Sequence, residues 1–158
     1  MDKEKMTIAV FSGDLDKVLA AFFLATSAAA MGLEVRMFFT FWGLNVVRKK
    51  KLMSGKTLLQ KMMSLLNRGG ADRLPLSKFN LLGLGPLLMK IMMKQSKVPD
   101  VPELIRIARE QGVKLLVCTT TFGFMGFQKD DFIDGIEEYC GAATFLQETR
   151  ESKISYFI

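Results

Sequence analysis

The sequence predicts an α/β fold whose parallel strands present loops and chemistry at their carboxyl ends. Three observations point there. A short apolar run, Val113–Val117, is broken only by Lys114, stops at Cys118 and gives way to three threonines and a glycine-punctuated stretch through Gly126. A β-rich run of that length before a loop reads as a buried parallel strand. Second, Met6–Phe11, Leu15–Met31 and Glu34–Phe41 read as strand, helix, strand, which is a right-handed βαβ unit. Third, the 158 residues are 49% hydrophobic and 24% charged, enough for one domain with its own core.

The elements follow in order. Met6–Phe11 is β-rich and apolar. Ser12 or Asp14 can cap the next helix by accepting a backbone N–H bond, and Gly32 stops it. Between them Leu15–Met31 is apolar nearly all round, so it is buried on more than one side, and one side is expected to meet another subunit. In Glu34–Phe41 the residues Val35, Met37, Phe39 and Phe41 share one face. Trp42-Gly43-Leu44 then closes the strand at the same sheet edge as Gly13 and Cys118; Trp42 either walls a pocket there or belongs to the core.

From Asn45 to Val98 the character changes to a basic, methionine-rich helical insertion. It holds 12 Lys and Arg against one acid (Asp72) and six of the 11 methionines, while the rest of the chain carries 10 Lys and Arg against 15 acids. Lys56–Leu66 has apolar residues at helical spacing with lysines opposite, and Leu81–Met93 is strongly apolar with a fresh helix start at Gly85-Pro86. Such segments serve as an ordinary helical cap, a subunit interface, a groove for a partner, or a surface lying on an anionic membrane. Nucleic acid is the weakest partner, because Phe79 is the segment's one aromatic side chain for stacking. Beyond it, Glu103–Gln111 is a helix with Pro102 in its first turn, Lys129–Tyr139 reads as a helix, Ala142–Glu151 as a short helix, and Lys153–Ile158 as a terminal strand. That places four strands and leaves room for a fifth near the insertion, at no assigned position.

The composition closes several doors. There is no histidine, so neither a Ser-His-Asp nor a Cys-His pair exists within one chain, nor a His-ligated metal site. Two cysteines do not build a structural zinc site, and no metal or cofactor is expected. The turn SGDLDK lacks the glycines of a dinucleotide fingerprint and is not a P-loop, which leaves a nucleotide or flavin binder as a weaker reading. The N-terminus lacks the pattern of a signal peptide, and no 18-residue apolar run exists to span a membrane. The expectation is a cytoplasmic chain with reduced thiols.

Cys118 is then the candidate nucleophile, since ligands and chemistry collect at strand carboxyl ends. The alternative is an inert small hydrophobe at the core edge. A thiol needs help to ionise. The help available is backbone N–H groups of the Thr119–Gly126 stretch and the hydroxyls of Thr119, Thr120 and Thr121. Gly123 and Gly126 let backbone come close to the sulfur. Asp14 lies near the same edge, but a carboxylate beside a thiolate raises the thiol pKa, so capping suits it better. An intramolecular bridge to Cys140 is disfavoured, because a helix of about 10 residues would hold the two cysteines about 15 Å apart.

SGDLDK after the first strand, GLEVRMFFTFWGL through the second, VCTTTFGFMGFQKDDFIDGIEE around Cys118 and the closing KISYFI together resemble the DsrE/DsrF-like family, most closely its DsrE2 branch of sulfurtransferase-like proteins. The resemblance covers most of the chain. It implies a three-layer α/β/α fold with a mainly parallel sheet and homo- or hetero-oligomers. It also implies a persulfide-carrying cysteine at the position of Cys118, and small sulfur-carrier or rhodanese-like proteins as partners. The expectation that follows is a sulfurtransferase or sulfur-relay carrier. The alternative is a non-catalytic adaptor that uses the insertion to bind a partner or an anionic membrane surface.

Overall fold

A computed structural model describes residues 4–51 and 54–158. The charged start at residues 1–3 and residues 52–53 of the insertion lie outside the described part. Five strands form one sheet in the order β4-β3-β2-β1-β5: β1 Lys5–Val10, β2 Glu34–Phe39, β3 Lys114–Cys118, β4 Glu138–Cys140 and β5 Ile154–Phe157. Every pairing is parallel. All carboxyl ends therefore meet on one rim.

Strand alternation divides the sheet into two faces. Met6, Ile8 and Val10 of β1, Val35, Met37 and Phe39 of β2, and Leu115 and Val117 of β3 enter the larger core. Helices α1 (Leu15–Ala30) and α4 (Val101–Glu110) cover it. Ala9, Phe38, Leu116, Cys118 and Cys140 point the other way, under Phe145 of α6 (Ala142–Arg150). Helices on both faces of a parallel sheet give the expected three layers. β5 is exposed at all four positions.

The helix boundaries have local causes. Asp14 sits at the N-cap of α1, yet its carboxylate accepts from Ser12 Oγ (3.0 Å) and Lys17 Nζ (2.9 Å) instead of a helix N–H. Past the other end, Gly32 takes φ 90°, which a side chain would resist. The α4 cap is Asp100, whose Oδ1 accepts the Glu103 N–H at 3.0 Å.

Within the insertion, α2 (Leu58–Leu66) opens on a reciprocal capping box between Thr57 and Gln60, and α3 is Leu84–Gln95. The insertion is tied to the body by Val46, Val47, Leu74 and Met93, all buried in the larger core. Arg48, which is 1% exposed, braces the insertion internally and reaches the body through Phe127. Its Nη1 donates to Asn45 Oδ1 and the Asn67 carbonyl (both 3.0 Å), its Nη2 to Ser64 Oγ (3.4 Å), and its guanidinium stacks 3.7 Å from the centre of the Phe127 ring. Other apolar residues of these helices face outward, among them Leu58, Leu66, Leu87 and Met92.

Four expectations need correction. The fifth strand is not near the insertion; it is β4, three residues long. Lys129–Tyr139 is not a helix: after a single 3-10 turn at Lys129–Asp131 the chain extends, bridges Arg48 from Phe132, and passes through Gly135 at φ 87°. A left-handed residue there interrupts helical geometry. A Cβ at Gly135 would also collide with the Arg109 guanidinium. Finally, the stretch after Cys118 is helical, α5 (Thr119–Met125), and ends at Gly126 with φ 78°. With no long helix between them, Cys118 and Cys140 become register partners on neighbouring strands, so the separation argued from helix length does not hold.

Candidate functional site around Cys118

Cys118 is the last residue of β3 and the cap residue of α5. It faces the thinner layer and lines an open cavity of about 400 Å³. The cavity is almost wholly apolar, framed by Phe38, Phe41, Phe124, Phe145, Leu146 and Phe157. A water takes about 30 Å³ of liquid volume, so the space holds about a dozen. That is room for a donor's side chain as well as for one sulfur atom.

The polar exception is a hydroxyl chain. Thr121 Oγ1 donates to Cys118 Sγ at 3.4 Å, and Thr40 Oγ1 lies 3.0 Å from Thr121 Oγ1. With the Thr121 proton committed to sulfur, Thr40 is the donor in that second bond, and such chains reinforce one another. Burial alone would push the Cys118 thiol up. Hydrogen bonds from the Thr121 hydroxyl and N–H and from the Thr120 N–H, with Thr40 acting through the Thr121 hydroxyl, outweigh it and hold the thiol below its ordinary range. The cause is hydrogen bonding to the charged form, without a cationic neighbour.

Cys140 is the counterpart with the opposite tuning. Burial first, then the charges of Glu138 and Cys118, push its thiol up to about 11. Both sulfurs are free.

The sequence-derived residues divide between two places. Cys118 and Thr120 line the apolar cavity. Thr119 starts α5 without lining it. Gly123 lies within α5, and Gly126 closes α5 against Gln60, whose side chain leaves no room there for a Cβ. Gly13, Asp14 and Trp42 instead line a second, more polar cavity of about 480 Å³ with Lys17, Arg68 and Arg73. Trp42 is 42% exposed, so it walls a cavity and is not core. Contacts from Phe11 to Phe41 (5.1 Å between ring centres) and to Phe157 (5.7 Å) stand between the two spaces. Gly43 allows this corner to form, since a Cβ on it would overlap the Val10 carbonyl oxygen.

Sequence reasoning missed Thr40 and the aromatic frame. Thr40 reaches Cys118 only through the pairing of β2 with β3, and the frame gathers residues from across the chain. Their one signal was position: Thr40 directly follows a strand whose end meets the end of β3. Among the described residues no three His, Cys, Asp or Glu side chains gather as metal ligands, and no helix is long and apolar enough to cross a membrane.

Comparison with known proteins places this geometry in context. The chain is 43% identical over 156 residues to the uncharacterized protein YrkE of Bacillus subtilis, covering 98% of this chain and 97% of that protein. It is 35% identical over 162 aligned positions to the sulfur carrier protein DsrE2 of Allochromatium vinosum, covering all of both. Two solved structures share the fold at 12% identity. The ychN protein of E. coli has a TM-score of 0.56, with 99% of this chain and 100% of that one covered. MTH1491 of Methanobacterium thermoautotrophicum has a TM-score of 0.55, with 98% and 99% covered. The sequence pattern of one family runs through residues 2–157, and on that extent the chain belongs to the DsrE/DsrF/DrsH-like family.

Proposed function

We propose that this protein is a sulfur carrier in which Cys118 accepts sulfane sulfur, holds it as a persulfide and hands it to an acceptor thiol. The observation that carries the reading is the placement of Cys118 Sγ: it borders an open apolar space while hydroxyl and N–H groups hold its thiol below the ordinary range. A nucleophilic thiol needs both access and a stabilised anion. The likeness to a protein named as a sulfur carrier agrees.

In the loading step the Cys118 thiolate attacks the outer sulfur of a donor persulfide. A bond forms between Sγ and that sulfur, the donor's S–S bond breaks, and the donor leaves as a thiolate. Delivery repeats the exchange with an acceptor thiolate attacking the outer sulfur. Gly13, Asp14 and Trp42 lie outside this space, so their part is structural support of the rim; Thr120 contributes its N–H. Thr119, Gly123 and Gly126 shape α5, which presents Thr120 and Thr121. Donor and acceptor are small sulfur-carrier or rhodanese-like proteins in the cytoplasm, and the chain works as a homo-oligomer. Incubation with glutathione persulfide followed by mass spectrometry tests the carrier role. The parent gains one sulfur atom on Cys118, and C118S gains none; equal uptake by both sinks the reading.

A second reading has its own observation. Leu58 and Leu66 on α2 and Leu87 and Met92 on α3 are exposed within the basic segment, and exposed apolar side chains among lysines suit an anionic bilayer. Flotation with phosphatidylserine vesicles tests it. Removing 45–98 would also strip Leu74 and Met93 from the core, so the variant is Leu58→Glu with Leu87→Glu. It loses flotation if these side chains are the contact; equal flotation rejects the idea.

A further inference from the structure

The two cysteines stand in an arrangement that a single-thiol carrier does not require. Cys118 and Cys140 are partners in the β3–β4 register and belong to the same buried cluster, so their side chains leave the sheet on one side. Neighbouring strands run about 4.7–4.9 Å apart. That lies inside the Cα separation a disulfide spans, about 4.4–6.8 Å. Each cysteine is the last residue of its strand, where pairing ends and the backbone can adjust. Gly141 follows Cys140 with open space where a Cβ would stand. Both residues are buried, Cys118 at 4% and Cys140 at 5% exposure, but Cys118 lines the open cavity and Cys140 does not. A donor that enters that cavity meets Cys118, and Cys140 meets what Cys118 carries.

We propose that Cys140 is a resolving thiol that discharges the Cys118 persulfide as sulfide and leaves a Cys118–Cys140 disulfide. This deepens the carrier reading and rests on it. The Cys140 sulfur attacks the inner sulfur, Cys118 Sγ. A bond forms between the two cysteine sulfurs, the bond from Sγ to the outer sulfur breaks, and the outer sulfur departs as the hydrosulfide anion, to which the Cys140 proton is transferred. The sulfane sulfur gains two electrons and the two cysteines together lose two. The balance is one Cys118 persulfide and one Cys140 thiol giving one Cys118–Cys140 disulfide and one molecule of hydrogen sulfide. An external dithiol then reduces the disulfide, becoming a disulfide itself.

The tuning of Cys140 sets the tempo. A thiol held near 11 is almost wholly protonated at neutral pH, and the thiolate is the attacking form. Resolution is therefore slow where transfer to an acceptor is fast. A persulfide that finds an acceptor passes on sulfane sulfur; one that waits is cleared as sulfide.

The test begins with the full chain charged with glutathione persulfide, freed of reagent and followed by intact mass and sulfide assay. The parent loses its extra sulfur, releases one equivalent of sulfide and ends two hydrogens lighter, with one peptide linking Cys118 to Cys140. C140S and C140A keep the extra sulfur at least about tenfold longer and never form the lighter species. Equal persulfide lifetimes in the parent and both variants overturn the proposal, as does a parent that discharges without the linked peptide. The linked peptide is read on the unmutated chain, so it decides the matter even if both variants misfold. Equal loading of the parent and C118S is a different failure: it removes the carrier reading, and the resolving role with it.

Discussion

Thr121→Val is the substitution that isolates what tunes Cys118. The side chain is buried, and valine keeps its shape while deleting the hydroxyl that donates to Sγ at 3.4 Å. A hydrogen bond to a charged group is worth about 1.5–3 kcal/mol. The length of this one puts it at the lower end, and about 1.4 kcal/mol corresponds to one pKa unit. The thiol should rise back toward its ordinary range, and its thiolate fraction at neutral pH should fall by up to about tenfold. Intrinsic nucleophilicity climbs with pKa at a Brønsted slope of about 0.4–0.5, returning up to about threefold, so alkylation slows by at most about three- to fourfold. The assay is ultraviolet titration of the thiolate in a C140S background, with iodoacetamide rates beside it. Thr121→Ser should restore most of the shift. The sign also sets a stability signature. The folded thiol lies below its unfolded value, so the bond stabilises the fold above the unfolded value and fades as pH falls through the folded one. The variant therefore loses more stability at about pH 10 than at about pH 6. An unchanged midpoint in Thr121→Val would refute the assignment of the hydroxyl as the source.

Two further outcomes concern the frame. Arg48→Ala should lower unfolding free energy by about 3 kcal/mol in denaturant titration, because it strands Asn45, Asn67 and Ser64; Arg48→Lys should recover little, lacking the planar fork that reaches several acceptors and stacks on Phe127. Burial opposes ionisation of Asp131, yet hydrogen bonds from Lys51 and the Gln128 N–H outweigh it and hold the carboxyl below its ordinary range. Its contribution is thus present above the unfolded carboxylate value and lost as pH falls through the folded one. Asp131→Asn should flatten the acid side of the stability curve below about pH 4, as read by thermal melts.

Much of the scaffold was legible because its signals are local. β1, β2 and β3 declare themselves by β-rich apolar runs, and α1 by its apolar helix ending at Gly32. Cys118 was legible as the point where such a run stops. What escaped is set by contacts distant in sequence. The three residues of β4 give no period to read, and Phe132, Ile133, Ile136 and Tyr139 imitate a helical stripe that Gly135 interrupts. Thr119–Met125 looks like a loop by its threonines and glycine, yet packing on the rim winds it into about two turns of helix. Thr40 becomes relevant only when β2 and β3 lie side by side.

That last pairing has a consequence for the newly made chain. About 70 residues separate the end of β2 from the start of β3, and drawing such a loop shut costs about 4 kcal/mol of chain entropy before any contact repays it. Until then Thr40 is far from the sulfur, and Phe157, from the final strand, has not yet closed the wall. During synthesis the cysteine is as mild as any thiol in a peptide. On the carrier role proposed above, the hydrogen bonds that lower the thiol come into place only when folding finishes, and an incomplete chain lacks them.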